Sequence, residues 1–230
     1  MGRVKAILDD EMLDLAERRG LYANNATAWE VLVDAPPEQT AAALKKITKS
    51  KTWTKNVFLK KVKTSKRSFV VYRLKGHGWT IVEALSGPAV ETELASQLAK
   101  ELSTRAMWFC VEDTSSWLGY HLYDAKGRIV ELLESFGDHH GDASHLPKSL
   151  LGKLAVKSTG RGIFGSSLRK VTAKTLGQSI AAEKLMDDLF REEEMLVPVG
   201  AFDGGRAGQS IKLDLPDIGK ADIERMDFIG

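Results

Sequence analysis

The chain has 230 residues, 43% hydrophobic and 28% charged, and its 33 Lys+Arg against 31 Asp+Glu give a formal net charge of +2. That apolar share excludes a disordered tail, and the lack of a glycine period excludes a collagen. One cysteine excludes an intramolecular disulfide and implies a reducing, cytoplasmic setting; no apolar run reaches the roughly 18 residues that span a bilayer, and the acidic start lacks a signal peptide's apolar core.

Leu8, Met12 and Leu15 recur at helical spacing, with Asp9, Asp10 and Glu11 early and Arg18 and Arg19 late, so a helix is expected over 4–19, stopped at Gly20. Trp29, Val31 and Val33 alternate with Glu30 and Leu32, a short strand ended by Pro36 and Pro37. Glu38 opens a helix carrying Ala41, Leu44 and Ile47. Val57, Leu59 and Val62 then read as a strand, and 69–74 as a stronger one. Gly76, His77 and Gly78 make a tight turn into a strand over 79–85, which Gly87 and Pro88 end.

The clearest helix follows, with Val90, Leu94, Leu98 and Leu102 at every fourth position, Glu91 and Glu93 in the first turn and Lys100 and Arg105 near the end. Strands are expected over 106–111, 118–123 and 128–133. The last two are joined by a hairpin at 124–127, where Gly127 is free to take positive φ. Beyond Phe136 the pattern loosens: a polar loop over 137–147, an unassigned stretch over 151–170, and a helix over 175–194. Strands at 196–202 and 211–215 come next, and 221–228 reads as a short helix or a final strand.

Trp29 and Trp79 stand 50 residues apart, and each opens apolar alternation, a proline break, an amphipathic helix and two strands. Two β-α-β-β units sharing a sheet would explain this recurrence. The expected fold is therefore α+β: a largely antiparallel sheet of six or more strands with helices mainly on one face. It is read as a single domain over 1–230, divisible into units 1–77 and 78–136 and an extension 137–230.

Few residues offer catalytic chemistry. Cys110 lies in an apolar strand beside Glu112 and Asp113, which would raise rather than lower its pKa, so it reads as a buried hydrophobe. His139, His140 and His145 with Asp138 and Asp142 lack any zinc spacing and read as a polar loop. Glu112 with Asp113, and Glu131 with Glu134, lack a matched base or oxyanion donor, and the latter two face opposite sides of a strand. No catalytic residue, metal or cofactor is assigned.

Charge is segregated. Residues 1–38 carry net −4, 39–82 carry +12 with no acid, 83–142 carry −7, 143–182 carry +7 with no acid, and 183–230 carry −6. Local fields rather than the total then govern association. The densest block comprises Lys45, Lys46, Lys49, Lys51 and Lys55, then Lys60, Lys61, Lys63, Lys66 and Arg67, interleaved with Trp53 and Phe58. Such a run suits a polyanion, either an acidic protein or nucleic acid with aromatics stacking on bases. It also suits a solvated edge where lysine deters strand pairing. A second basic stretch holds Gly160, Arg161, Gly162 and Gly165, then Ser166, Arg169 and Lys170, a G-x-G-x-x-G pattern able to approach a phosphate but lacking a dinucleotide-fold context. The leading expectation is a non-enzymatic, immunity- or inhibitor-like protein that binds an acidic protein. The alternatives are a nucleic-acid binder using 45–67 and an enzyme with a phosphate-containing ligand at the glycine loop.

Overall fold

The computed structural model describes residues 27–76, 78–88, 90–112, 117–136, 206–215 and 219–230. The helices expected over 4–19 and 175–194, the histidine cluster and the glycine loop lie outside these residues.

The described residues form ten strands and two helices: β1 (Thr27–Val33), α1 (Pro37–Thr48), β2 (Trp53–Thr54), β3 (Lys61–Lys63), β4 (Ser68–Leu74), β5 (Thr80–Ser86), α2 (Thr92–Leu102), β6 (Ala106–Glu112), β7 (Trp117–Tyr123), β8 (Ile129–Phe136), β9 (Ser210–Lys212) and β10 (Ile223–Ile229). Eight strands form one sheet in the order β2-β10-β4-β5-β1-β6-β7-β8, antiparallel at every junction, and β3 and β9 form a separate antiparallel ribbon. The architecture is α+β with the sheet dominant. At its centre β1-α1-β4 and β5-α2-β6 interlock, each unit placing its partner's first strand between its own two, the split β-α-β arrangement.

Local chemistry sets the element ends. Pro37 occupies the first turn of α1, where a missing N–H costs nothing, and Lys45 and Lys46 face the negative end of the helix dipole. Lys49 ends α1 at φ 54° and Ser103 ends α2 at φ 51°, both left-handed caps that bond the last carbonyls. The 124–127 hairpin forms as expected, with Gly127 at φ 72° and its N–H on the Asp124 carbonyl at 2.8 Å.

Side chains alternate across the sheet. Val31, Val33, Phe69, Val71, Val82 and Trp108 pack beneath Ala41 and Leu44 of α1 and Leu94 and Leu98 of α2. Val70, Tyr72, Leu74, Ile81 and Leu85 point the other way, against Val62 of the ribbon and Leu213 and Leu215 after it. Strands β4 and β5 are thus covered on both faces, which explains their near-continuous apolar sequences.

Three sequence expectations change. Residues 57–59 are a turn rather than part of a strand, because Asn56 (φ 53°) and Leu59 (φ 63°) leave extended geometry; only Lys61–Lys63 is extended. That strand pairs with β9, some 150 positions later in the chain, instead of with a local hairpin partner. Of the two readings offered for 221–228, a short helix or a final strand, the strand holds: β10 spans Ile223–Ile229 and lies between β2 and β4. The β-α recurrence is present, but the 50-residue register is wrong. An even offset sends counterparts to opposite faces: it matches Val31, on the helix side, to Ile81, on the far side. The odd offset that matches Glu30 to Glu83 also matches Leu32 to Leu85 and keeps each on its face.

Candidate functional site

The ribbon is built by alternation. Val62 and Ile211 are direct partners that pack against the sheet, so Lys61, Lys63, Ser210 and Lys212 face outward. Further bonds lengthen the ribbon: Leu59 N–H to the Leu213 carbonyl at 2.7 Å, Leu213 N–H to the Lys60 carbonyl at 2.9 Å, and Thr64 N–H to the Gln209 carbonyl at 2.9 Å. Buried Thr64 also donates its hydroxyl to the Arg206 carbonyl at 2.7 Å, closing the turn in which Gly208 takes φ 84°. On the outer face Lys212 pairs with Asp214 at 2.6 Å, while Lys60, Lys61 and Lys63 have no carboxylate partner among the described residues. Lys61 stands directly opposite Lys212, a like-charge pair that costs stability.

Beside this row sits Leu59, 47% exposed and held at φ 63°. The left-handed region costs an ordinary L-residue about 1–2 kcal/mol, and a bulky side chain left half exposed there recovers only part of that by burial. Sequence reasoning took Leu59 for a strand residue. Its neighbours offered one sign only, Asn56 three positions earlier, a residue type that favours turns and tolerates the left-handed region.

The ten basic residues of the block do not form one surface. Lys45, Lys46, Lys49 and Lys51 cluster at the end of α1, on the helix side, where Lys46 pairs with Glu101 at 2.6 Å. Lys60, Lys61 and Lys63 ride the ribbon on the opposite side, with Lys66 and Arg67 exposed in the turn before β4. Lys55 pairs with Glu38 at 2.6 Å and lies 4.7 Å over the Trp53 ring; Lys55 and Arg225 together hold the Glu38 carboxyl below its usual range. Trp53 is half-buried and donates Nε1 to Asp227 Oδ2 at 2.9 Å, Phe58 packs against the ribbon-side core, and Arg67 covers the Phe69 ring. Neither aromatic of the block is presented as an open stacking platform.

Cys110 is fully buried on the helix face. Across from it Gly119 leaves room for His121 and Glu134, which meet at 2.7 Å (Nε2 to Oε1). The other imidazole nitrogen faces the Tyr123 hydroxyl at 3.4 Å, and Trp108 packs edge-on at 5.0 Å. Both imidazole nitrogens therefore have a partner within the sheet. Glu131, on the far face, accepts from Tyr120 at 3.2 Å, so the two β8 glutamates do face opposite sides. Burial, then Glu131, pushes the Tyr120 phenol upward.

The least expected group is at the sheet's centre. Glu30 and Glu83 are each fourth of seven residues in β1 and β5 and are direct cross-strand partners. They are 1% and 6% exposed, on the face away from the helices, between Phe109 and Val70. Neither Glu30 oxygen has a hydrogen-bond partner among the described residues. Burial first, and Glu83 second, push its carboxyl well above the usual range. The Tyr72 phenol is pushed upward as well, by burial and then by the two glutamates. The sequence signal was an acid inside an apolar run, TAWEVLV and TIVEALS, which a one-sided alternation reading places in solvent.

Among the described residues no three His, Cys, Asp or Glu side chains are placed to hold a metal ion, and no helix is long and apolar enough to cross a membrane. Compared with known proteins, the chain matches no protein-family model, no curated protein and no solved structure.

Proposed function

We propose that the chain is a non-enzymatic binding protein that docks an acidic protein surface on the outer face of the β3–β9 ribbon. The observation that carries this reading is Leu59: an exposed, left-handed leucine adjoining a lysine row in which Lys60, Lys61 and Lys63 have no carboxylate partner among the described residues. Conformational strain persists where the surroundings impose it, and it clusters at binding sites. An exposed apolar anchor ringed by charge is how protein interfaces are organised, with a few large side chains giving affinity and the rim giving rate and orientation.

Nucleic acid is the weaker fit. Lysine is a point charge rather than a two-pronged base reader, Trp53 is tied to Asp227, and Phe58 packs inward. The phosphate-ligand reading rests on residues 160–170, outside the described residues, and gains no support.

The test is fluorescence anisotropy with three labelled probes of matched charge: polyglutamate, a Glu/Leu copolymer and duplex DNA. The copolymer should bind most tightly, every affinity should fall as salt rises, and Leu59→Gly should erase the copolymer's advantage. Preference for the duplex, or a copolymer advantage that survives Leu59→Gly, would overturn the reading.

A further inference from the structure

The centre of the sheet holds a second device, independent of the ribbon. The β1–β5 ladder registers only four pairs, Val33↔Thr80 to Glu30↔Glu83. Beyond the glutamates β1 continues beside β6 as far as Thr27↔Glu112, and β5 continues beside β4 as far as Ser68↔Ser86. The two strands therefore part at the glutamate pair, which forms the apex of a fork between the two interlocked β-α-β units. The β6–β7 ladder, by comparison, registers seven pairs from end to end.

We propose that Glu30, facing Glu83 at this apex, is a proton-operated latch: neutral, it keeps the fork closed; on losing its proton to solvent, it opens the β1–β5 ladder from the glutamate end. Two carboxylates cannot both be charged in an apolar cross-strand pair without separating or admitting water. Phe109 of β6 stands directly beside Glu30, and the same face of the sheet carries Met107 of β6 and Met226 and Phe228 of β10, with Val62 and Ile211 of the ribbon turned toward it. The other titratable groups on this face among the described residues are Tyr72 of β4, Tyr120 of β7 and Glu131 of β8, all neutral or acidic. Burial and Glu83 both push the Glu30 carboxyl upward, and no described cation opposes them.

The sign follows from linkage. An ordinary glutamate ionises at about pH 4.3, so above that pH the open form gives up its proton while the closed form keeps it. The closed form is thus fully favoured below that pH. It loses ground as pH rises, by up to about tenfold in the opening constant per pH unit, until the closed form itself ionises.

Hydrogen exchange on the full chain tests this, read as protection factors for residues 31–33 and 80–82 from acidic to alkaline pH. Wild type should lose protection there as pH rises, while the β6–β7 amides hold theirs. Glu30→Gln should flatten the dependence. Glu83→Gln, which removes the second-largest push, should end the fall at a lower pH. Infrared spectroscopy supplies a separate readout: a protonated-carboxyl band that persists above the range where an ordinary glutamate ionises and that Glu30→Gln removes. A pH dependence unchanged in both variants, or no such band in wild type, would overturn the proposal.

Discussion

Lys61 of β3 and Lys212 of β9 face each other directly across a two-stranded ribbon, and Asp214, the one carboxylate among the described residues that answers them, is taken by Lys212. Opposed like charges weaken a cross-strand pair, and opposite charges strengthen it, by about 0.2–1 kcal/mol. Lys61→Glu should therefore leave the fold as stable or raise its stability by up to about 1 kcal/mol in urea unfolding, while weakening the acidic copolymer at low salt. A variant that loses stability instead would show that the lysine row serves the fold.

Leu59→Gly separates conformation from contact. Glycine relieves the cost of φ 63° but adds unfolded-state entropy, two opposed effects of similar size. The net change in unfolding free energy should stay within about 1 kcal/mol, measured by denaturant titration. A much larger loss would mean that the side chain packs against the protein rather than waiting for a partner.

Asp227 holds the β2 edge together. It is fully buried and accepts from Trp53 Nε1 (2.9 Å), the Asn56 N–H (3.1 Å) and Arg225 Nε (2.9 Å). Asp227→Ala strands three donors, one of them charged, and should cost about 3 kcal/mol. Trp53 fluorescence should shift as the ring loses its carboxylate. Asp227→Asn, which retains an acceptor oxygen, should cost less.

Gly127→Ala probes the β7–β8 turn. A Cβ there would lie 2.7 Å from the Ser96 carbonyl and 2.8 Å from its hydroxyl, at a φ of 72°. Backbone cannot yield as a side-chain tip can, and the Ser96 hydroxyl bond to the Gly127 carbonyl (2.7 Å) would be strained. A loss of about 1–3 kcal/mol in thermal or urea unfolding is expected.

Much of the fold was legible because local rules and tertiary packing agree. The every-fourth-residue spacing from Val90, the proline break before α1 and the 124–127 hairpin all mark elements that form. What was hidden depends on distant partners. β3 pairs with β9 and β2 with β10, contacts that no local pattern encodes, and this separated the ribbon lysines from those of α1. The Glu30–Glu83 pair was not legible because alternation assumes a solvated face, whereas this sheet is buried on both sides at its centre.

Residue-resolved chemical-shift mapping tests the central claim most directly, by titrating the Glu/Leu copolymer into isotope-labelled protein at low salt. The account predicts amide shifts concentrated at 59–64 and 206–213, reversed by added salt and absent in the Lys60→Glu, Lys61→Glu, Lys63→Glu triple variant. Shifts centred instead on the Lys45–Lys51 end of α1, or the same shifts in the triple variant, would contradict it.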